Sequence, residues 1–180
     1  TITVADYDRA APHGTGDIKA GLNYAMSLYP LEEAHKKGYS ENLYLDSATR
    51  TYVEETGGAN VLFVDKEGTL VVPQSATNSI LPSVTRRSLV TVARDILGMN
   101  VVERPVKFQE VLDDQFVECG LCGTAAVISP VGHIEAEGVD VTFSDGADCA
   151  GPVMRKLRKT LTDIQSGELE GPEGWVFKIC

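Results

Sequence analysis

Apolar positions in this chain follow two periods in turn. Runs such as Ile2-Thr3-Val4, Leu43-Tyr44-Leu45, Thr51-Tyr52-Val53, Val61-Leu62-Phe63-Val64 and Leu70-Val71-Val72 are rich in β-branched and aromatic residues and end at polar turn formers. That pattern predicts strands. The second and third runs flank Asp46-Ser47-Ala48-Thr49-Arg50, and the fourth and fifth flank Asp65-Lys66-Glu67-Gly68, so much of the sheet is expected to be antiparallel. Over residues 17–37 the period changes. Leu22, Ala25, Met26 and Tyr29 recur at helical spacing, and Glu32, Glu33, Lys36 and Lys37 supply a solvated face. Pro30 is expected to kink or divide this helix. Pro82 and Ser83 open a second amphipathic helix that runs to about residue 97, with Leu89, Val92, Ala93 and Ile96 on one face and Gly98 as its stop. A strand at Val101-Val102-Glu103, a short helix over Phe108–Leu112, strands near 125–128 and 139–143, and a basic helix over 152–164 complete the pattern. Without repeats or low-complexity segments, this succession predicts an α+β fold.

At 180 residues, with 43% apolar content and dispersed charge, the chain suffices for one domain with a substantial core. A formal charge of −10 argues against nucleic acid or an anionic membrane as a general partner. A phosphate can still be held locally by backbone donors. The first residues read as a strand rather than a targeting segment, and no apolar run nears the roughly 20 residues of a spanning helix. A soluble, cytoplasmic protein is expected. The cysteines are Cys119, Cys122, Cys149 and Cys180. Cys119 and Cys122 have C-x-x-C spacing, but a four-ligand zinc site normally supplies a second close pair. Buried, unreactive thiols are the simpler reading, with a thiol switch as the alternative and no metal site expected.

Four segments carry residue types suited to chemistry. Gly16-Asp17-Ile18-Lys19-Ala20-Gly21-Leu22-Asn23-Tyr24 places an amine beside a predicted helix start, where a lysine is ordinarily solvated but can act as a nucleophile toward a carbonyl. Glu54-Glu55-Thr56-Gly57-Gly58-Ala59-Asn60 puts two carboxylates at a strand end, readable as exposed acids beside turn glycines. In Ser79-Ile80-Leu81-Pro82-Ser83-Val84-Thr85-Arg86 a loop feeds a helix whose first N–H groups, with Ser83 as N-cap, form an anion site. Gly123-Thr124-Ala125-Ala126 reads alone as a strand after a turn. Arg86 and Arg87, at a helix start, are expected to face solvent, and His13, His35 and His133 have no metal or triad spacing.

Together, in this order and closing on Gly171-Pro172-Glu173-Gly174-Trp175, these segments resemble the branched-chain aminotransferases, fold type IV enzymes that use pyridoxal 5'-phosphate. The lysine segment matches their pattern of lysine, small residue, glycine, any residue, asparagine and tyrosine, with Leu22 where a second glycine is usual. The resemblance implies that Lys19 carries the cofactor and moves the substrate's proton, and that Tyr24 donates to the ring's phenolic oxygen. It implies that Glu55, five residues before Asn60, holds the pyridine nitrogen. Ser83, which replaces a usual glycine, Val84 and Thr85 would hold the phosphate, together with Thr124. The amides of Thr124 and Ala125 would meet the substrate carboxylate.

On the same resemblance, residues 1–180 form the large, pseudo-barrel C-terminal domain, without the small N-terminal domain that supplies a phosphate-binding arginine and much of the side-chain pocket. The chain is then a processed or truncated piece of a homodimeric enzyme acting on branched-chain amino acids and 2-oxo acids. The competing expectation is a non-catalytic domain that only binds cofactor or assembles.

Overall fold

The apolar runs form one ten-stranded mixed sheet in the computed structural model, which describes residues 1–144, 150–177 and 179. Cys149 and Cys180 lie outside the described residues. In chain order the elements are β1 (Ile2–Val4), α1 (Gly21–Lys36), β2 (Asn42–Leu45), β3 (Val53–Thr56), β4 (Asn60–Asp65), β5 (Leu70–Pro73) and α2 (Val84–Thr91), which continues into a π turn at Val92–Ile96. Then come β6 (Val101–Arg104), α3 (Phe108–Leu112), β7 (Phe116–Gly123), β8 (Val127–Val131), β9 (His133–Ala136), β10 (Val139–Thr142) and α4 (Pro152–Ser166). The strand order is β10-β9-β1-β2-β3-β4-β5-β6, with β7 on the other edge of β4 and β8 beyond it. β1 runs parallel to β2 and β9, and β5 to β6; the remaining pairs are antiparallel, as the turn-linked runs predict. β3 meets β4 at the single pair Glu55 and Asn60, while β5 takes the far end of the same edge at Phe63 and Val64. The sheet thus changes partners at Glu55.

Alternation along β4 divides the interior. Val61 and Phe63 point into one core with Leu43, Val53, Phe116, Ile134 and Phe143, enclosed by strands. Leu62 and Val64 point into a second, between the sheet and α2 and α4, with Leu89, Met154, Leu157 and Leu161. Phe63 stacks on Phe116 with ring centroids 4.6 Å apart. β7 was not legible as a strand. Its run Phe116-Val117-Glu118-Cys119-Gly120 is broken by a charged residue and a glycine, yet Glu118 is buried because it accepts from the Val153 and Met154 N–H groups at 3.0 and 2.8 Å, capping α4. Cys119 lies in the strand-enclosed core and Cys122 in the helix-side core. The two thiols of the C-x-x-C pair therefore face opposite sides of β7, which removes the thiol-switch reading.

Helix α1 reverses the expected orientation. Its buried face is Asn23, Ser27, Pro30 and Ala34, whereas Leu22, Met26 and Tyr29 are 61%, 59% and 59% exposed. Small and polar residues permit close approach: a Cβ on Gly57 would lie 3.2 Å from the Ser27 Cβ. Pro30 sits within one continuous helix and does not divide it.

Candidate active site

The loop before α1 is set by Asn23, whose side-chain amide donates to the Thr15 and Ile18 carbonyls at 2.6 and 2.7 Å. This folds residues 15–20 into a turn that presents Lys19 to solvent beside the helix start. Lys19 Nζ donates to the Tyr24 hydroxyl at 3.2 Å and lies 5.6 Å from the centre of that ring. The two residues of the first segment therefore meet, with the amine accessible.

Glu55 is 3% exposed, not a solvated strand-end acid. Oε1 is paired with the Arg9 guanidinium and accepts from the Leu81 N–H at 2.8 Å, and Oε2 accepts from Asn60 Nδ2 at 2.6 Å. Burial pushes the Glu55 carboxyl up to about 7, while Arg9 and the Leu81 N–H pull the other way. Glu54 is equally buried and turns elsewhere: one oxygen accepts from the Ser79 hydroxyl and the other has no partner. Burial raises its carboxyl too. The two acids are thus distinguished by their partners: Glu54 meets the start of the segment that enters α2, at the Ser79 hydroxyl, and Glu55 meets it closer to the helix, at the Leu81 N–H.

That tie runs through Leu81. Its N–H donates to Glu55, and its carbonyl accepts from Asn60 at 3.1 Å. Two residues on, Ser83 caps α2 by accepting from the Arg86 N–H at 3.2 Å, as the sequence predicts. The Val84 and Thr85 N–H groups belong to the first turn, where no helical carbonyl precedes them; Val84 is 67% exposed and Thr85 half-buried. Arg86 departs from expectation. It is largely buried, pairs with Glu103 at 3.3 Å, and leaves Nε without a partner. Arg87 faces solvent.

Thr124 and Ala125 lie in the exposed turn between β7 and β8 rather than in a strand, since β8 begins at Val127. Gly123 places this turn against the β3–β4 turn, because a Cβ there would lie 3.9 Å from the Gly58 carbonyl oxygen. Sequence reasoning missed Arg9, a single arginine in a polar loop with no spacing to mark it. Among the described residues no cluster of His, Cys, Asp and Glu could hold a metal ion, and no helix is long and apolar enough to cross a membrane.

A family model for amino-transferase class IV matches residues 2–134. The branched-chain-amino-acid aminotransferase of Haemophilus influenzae is 46% identical over 179 residues, covering 97% of this chain and 51% of the relative. That of Helicobacter pylori is 40% identical over 178 residues, covering 99% and 50%. Among solved structures, the branched-chain amino acid aminotransferase from Escherichia coli superposes with a TM-score of 0.83 at 31% identity, over 98% of this chain and 56% of that one. The enzyme from Thermobaculum terrenum in its PLP-form gives 0.79 at 31% identity, over 93% and 51%. The chain spans about half the length of the curated relatives it matches. The fold that brings Glu55, the start of α2 and the Lys19 loop together is that of a fold type IV aminotransferase, and the chain belongs to the amino-transferase class IV family.

Proposed function

We propose that this chain is the cofactor-binding C-terminal domain of a branched-chain amino acid aminotransferase, moving the amino group of leucine, isoleucine or valine to 2-oxoglutarate with pyridoxal 5'-phosphate. One observation carries the reading: Leu81 is hydrogen-bonded to Glu55 and Asn60, two residues before the capped start of α2. A buried carboxylate is thereby fixed relative to an anion-binding helix terminus. A planar cationic ring that bears a phosphate asks for that combination. The donor set fits: an accessible amine at Lys19, a carboxylate held from behind at Glu55, free first-turn amides at Val84 and Thr85, and the unpartnered, buried Arg86 Nε nearby in the first turn.

When bound, the cofactor supplies the carbonyl that takes up the amino group and the ring that accepts the electrons freed at the substrate Cα. The chain's own residues do the rest. Ser83, Val84, Thr85 and Thr124 hold the phosphate. Glu55 keeps a proton on the ring nitrogen. Lys19 would carry the cofactor through Nζ, and its free amine would take the proton from the substrate Cα. Tyr24 orients the amine and donates to the ring oxygen, and the Thr124 and Ala125 amides receive the substrate carboxylate.

In the whole enzyme, an N-terminal domain and a second copy complete the pocket, and the protein is a cytoplasmic homodimer. The exposed Leu22, Met26 and Tyr29 on α1 support such packing. The test is turnover of leucine with 2-oxoglutarate by the full-length protein and its Lys19→Ala variant. Activity lost in the variant supports the mechanism, and activity retained at the parent rate removes it. Cofactor binding with no turnover in the parent favours the assembly-domain reading.

A further inference from the structure

Arg9, in the loop between β1 and α1, is 7% exposed, and its guanidinium meets three segments of the site. It pairs with Glu55 on β3. Nη2 also donates to the Gly16 carbonyl at 3.1 Å, and Nη1 to the Ser79 carbonyl at 3.3 Å. Gly16 precedes Lys19 by three residues, and Ser79 begins the segment that enters α2. We infer that Arg9 is a positioning residue for the proposed cofactor site: it pairs with the buried Glu55 carboxyl, favouring its ionised form against burial, and clamps the Lys19 loop to the approach of α2. The inference rests on the functional reading above.

Three physical arguments support it. Burying a guanidinium is costly unless its donors are satisfied, and a planar fork on one carboxylate and two carbonyls is the arrangement that repays the cost. The two carbonyl-bearing segments are also in contact, since a Cβ on Gly16 would lie 2.3 Å from the Ser79 oxygen. Their oxygens converge on one cation, and without it they would repel each other. Finally, the other groups around Glu55 cannot replace Arg9. Glu54 adds like charge, the Arg86 charge is engaged by Glu103, the Cys122 thiol is pushed up to about 12 by burial, and Asn60 and the Leu81 N–H are neutral. Among the described residues Arg9 is the one cation in direct contact with Glu55. Tyr44, which also faces Arg9, is likewise held neutral by burial, at about 12.

The test is a carbon-13 NMR titration of the Glu55 carboxyl, assigned with Glu55→Gln, in the parent, Arg9→Gln and Arg9→Lys chains. Arg9→Gln is expected to raise the Glu55 midpoint by about one to three pH units, and Arg9→Lys to restore most of that shift. An unmoved midpoint in Arg9→Gln overturns the charge role. Arg9→Lys keeps the charge but cannot span all three acceptors, so its dissociation constant for pyridoxal phosphate, read by absorbance, should rise on the order of tenfold. An unchanged constant overturns the clamp. If Arg9→Gln does not fold, Arg9→Lys alone decides, by that constant. A parent chain that binds no pyridoxal phosphate defeats the functional reading instead, and the Glu55 midpoint still decides for or against Arg9.

Discussion

Glu55 is the side chain whose environment does most to define the site, and that environment has a pH signature. Burial raises its carboxyl from 4.5 to about 7, so between those values the folded chain holds a proton that the unfolded chain has released. Its contribution to stability is therefore complete below about pH 4.5 and is lost as the pH climbs through about 7. Urea unfolding of the parent and Glu55→Gln chains at about pH 5 and about pH 8 should show the parent losing stability relative to the variant, by on the order of 3 kcal/mol. A pH-independent gap would mean that Glu55 does not titrate in that window. Gly16 gives a second, steric prediction. A Cβ added there would run into the Ser79 carbonyl oxygen, a backbone atom that cannot swing away, so Gly16→Ala should cost about 1–3 kcal/mol by the same unfolding measurement. The cysteines give a third. Cys119 and Cys122 are buried, with their thiols raised by burial and facing opposite cores. Both should resist alkylation in the folded chain and react only in denaturant, which peptide mapping would record.

Strands and helices were legible where one local rule governed them. The runs on either side of Asp65 became β4 and β5, and those on either side of Asp46 became β2 and the start of β3, which begins only at Val53 and runs on through Glu54 and Glu55, because turn chemistry and β-branched residues point the same way. In the first turn, Asp46 itself accepts from the Thr49, Thr51 and Tyr52 N–H groups. Helical spacing on α1 was also real, but period alone does not say which side is covered. The chain buries Asn23 and Ser27 and leaves Leu22 and Met26 outside. Strand β7 escaped because Glu118 serves α4 rather than solvent, a long-range contact that no local window contains. The Ser83 cap is local, and it yields a local test. Ser83→Ala should cost about 1 kcal/mol in thermal unfolding and weaken inorganic phosphate binding; an unaltered phosphate affinity would detach the start of α2 from the site. For α1, replacing Leu22 and Met26 together with serine should leave stability within about 0.5 kcal/mol, since neither is buried. It should reduce self-association in sedimentation velocity if this face packs against a second copy.

At the level of the fold, the residues read as cofactor ligands lie in sequence segments far apart, and the sheet gathers them. The change of partners at Glu55 and Asn60, the approach to α2 tied through Leu81, and the β7–β8 turn resting against Gly58 bring three of the four motifs to one end of the sheet. Arg9 joins the fourth, the Lys19 loop, to the other three. Motif order was legible in the sequence because each motif is local. The brace that unites them was not, because Arg9 acquires its meaning only when Gly16, Glu55 and Ser79 surround it. The same geometry leaves Lys19 and the α1 face open to solvent, in a chain that spans about half the length of its relatives. Whether this half alone can place the cofactor on its lysine is the decisive question. Pyridoxal phosphate should be added to the purified chain, its absorbance recorded, and the mixture reduced with borohydride and mapped by peptide mass. The expected result is a single reduced pyridoxyl adduct on Lys19, diminished in Glu55→Gln and absent in Lys19→Ala. Labelling spread over the surface lysines, unchanged by either substitution, would show that these residues do not form a cofactor site in this chain.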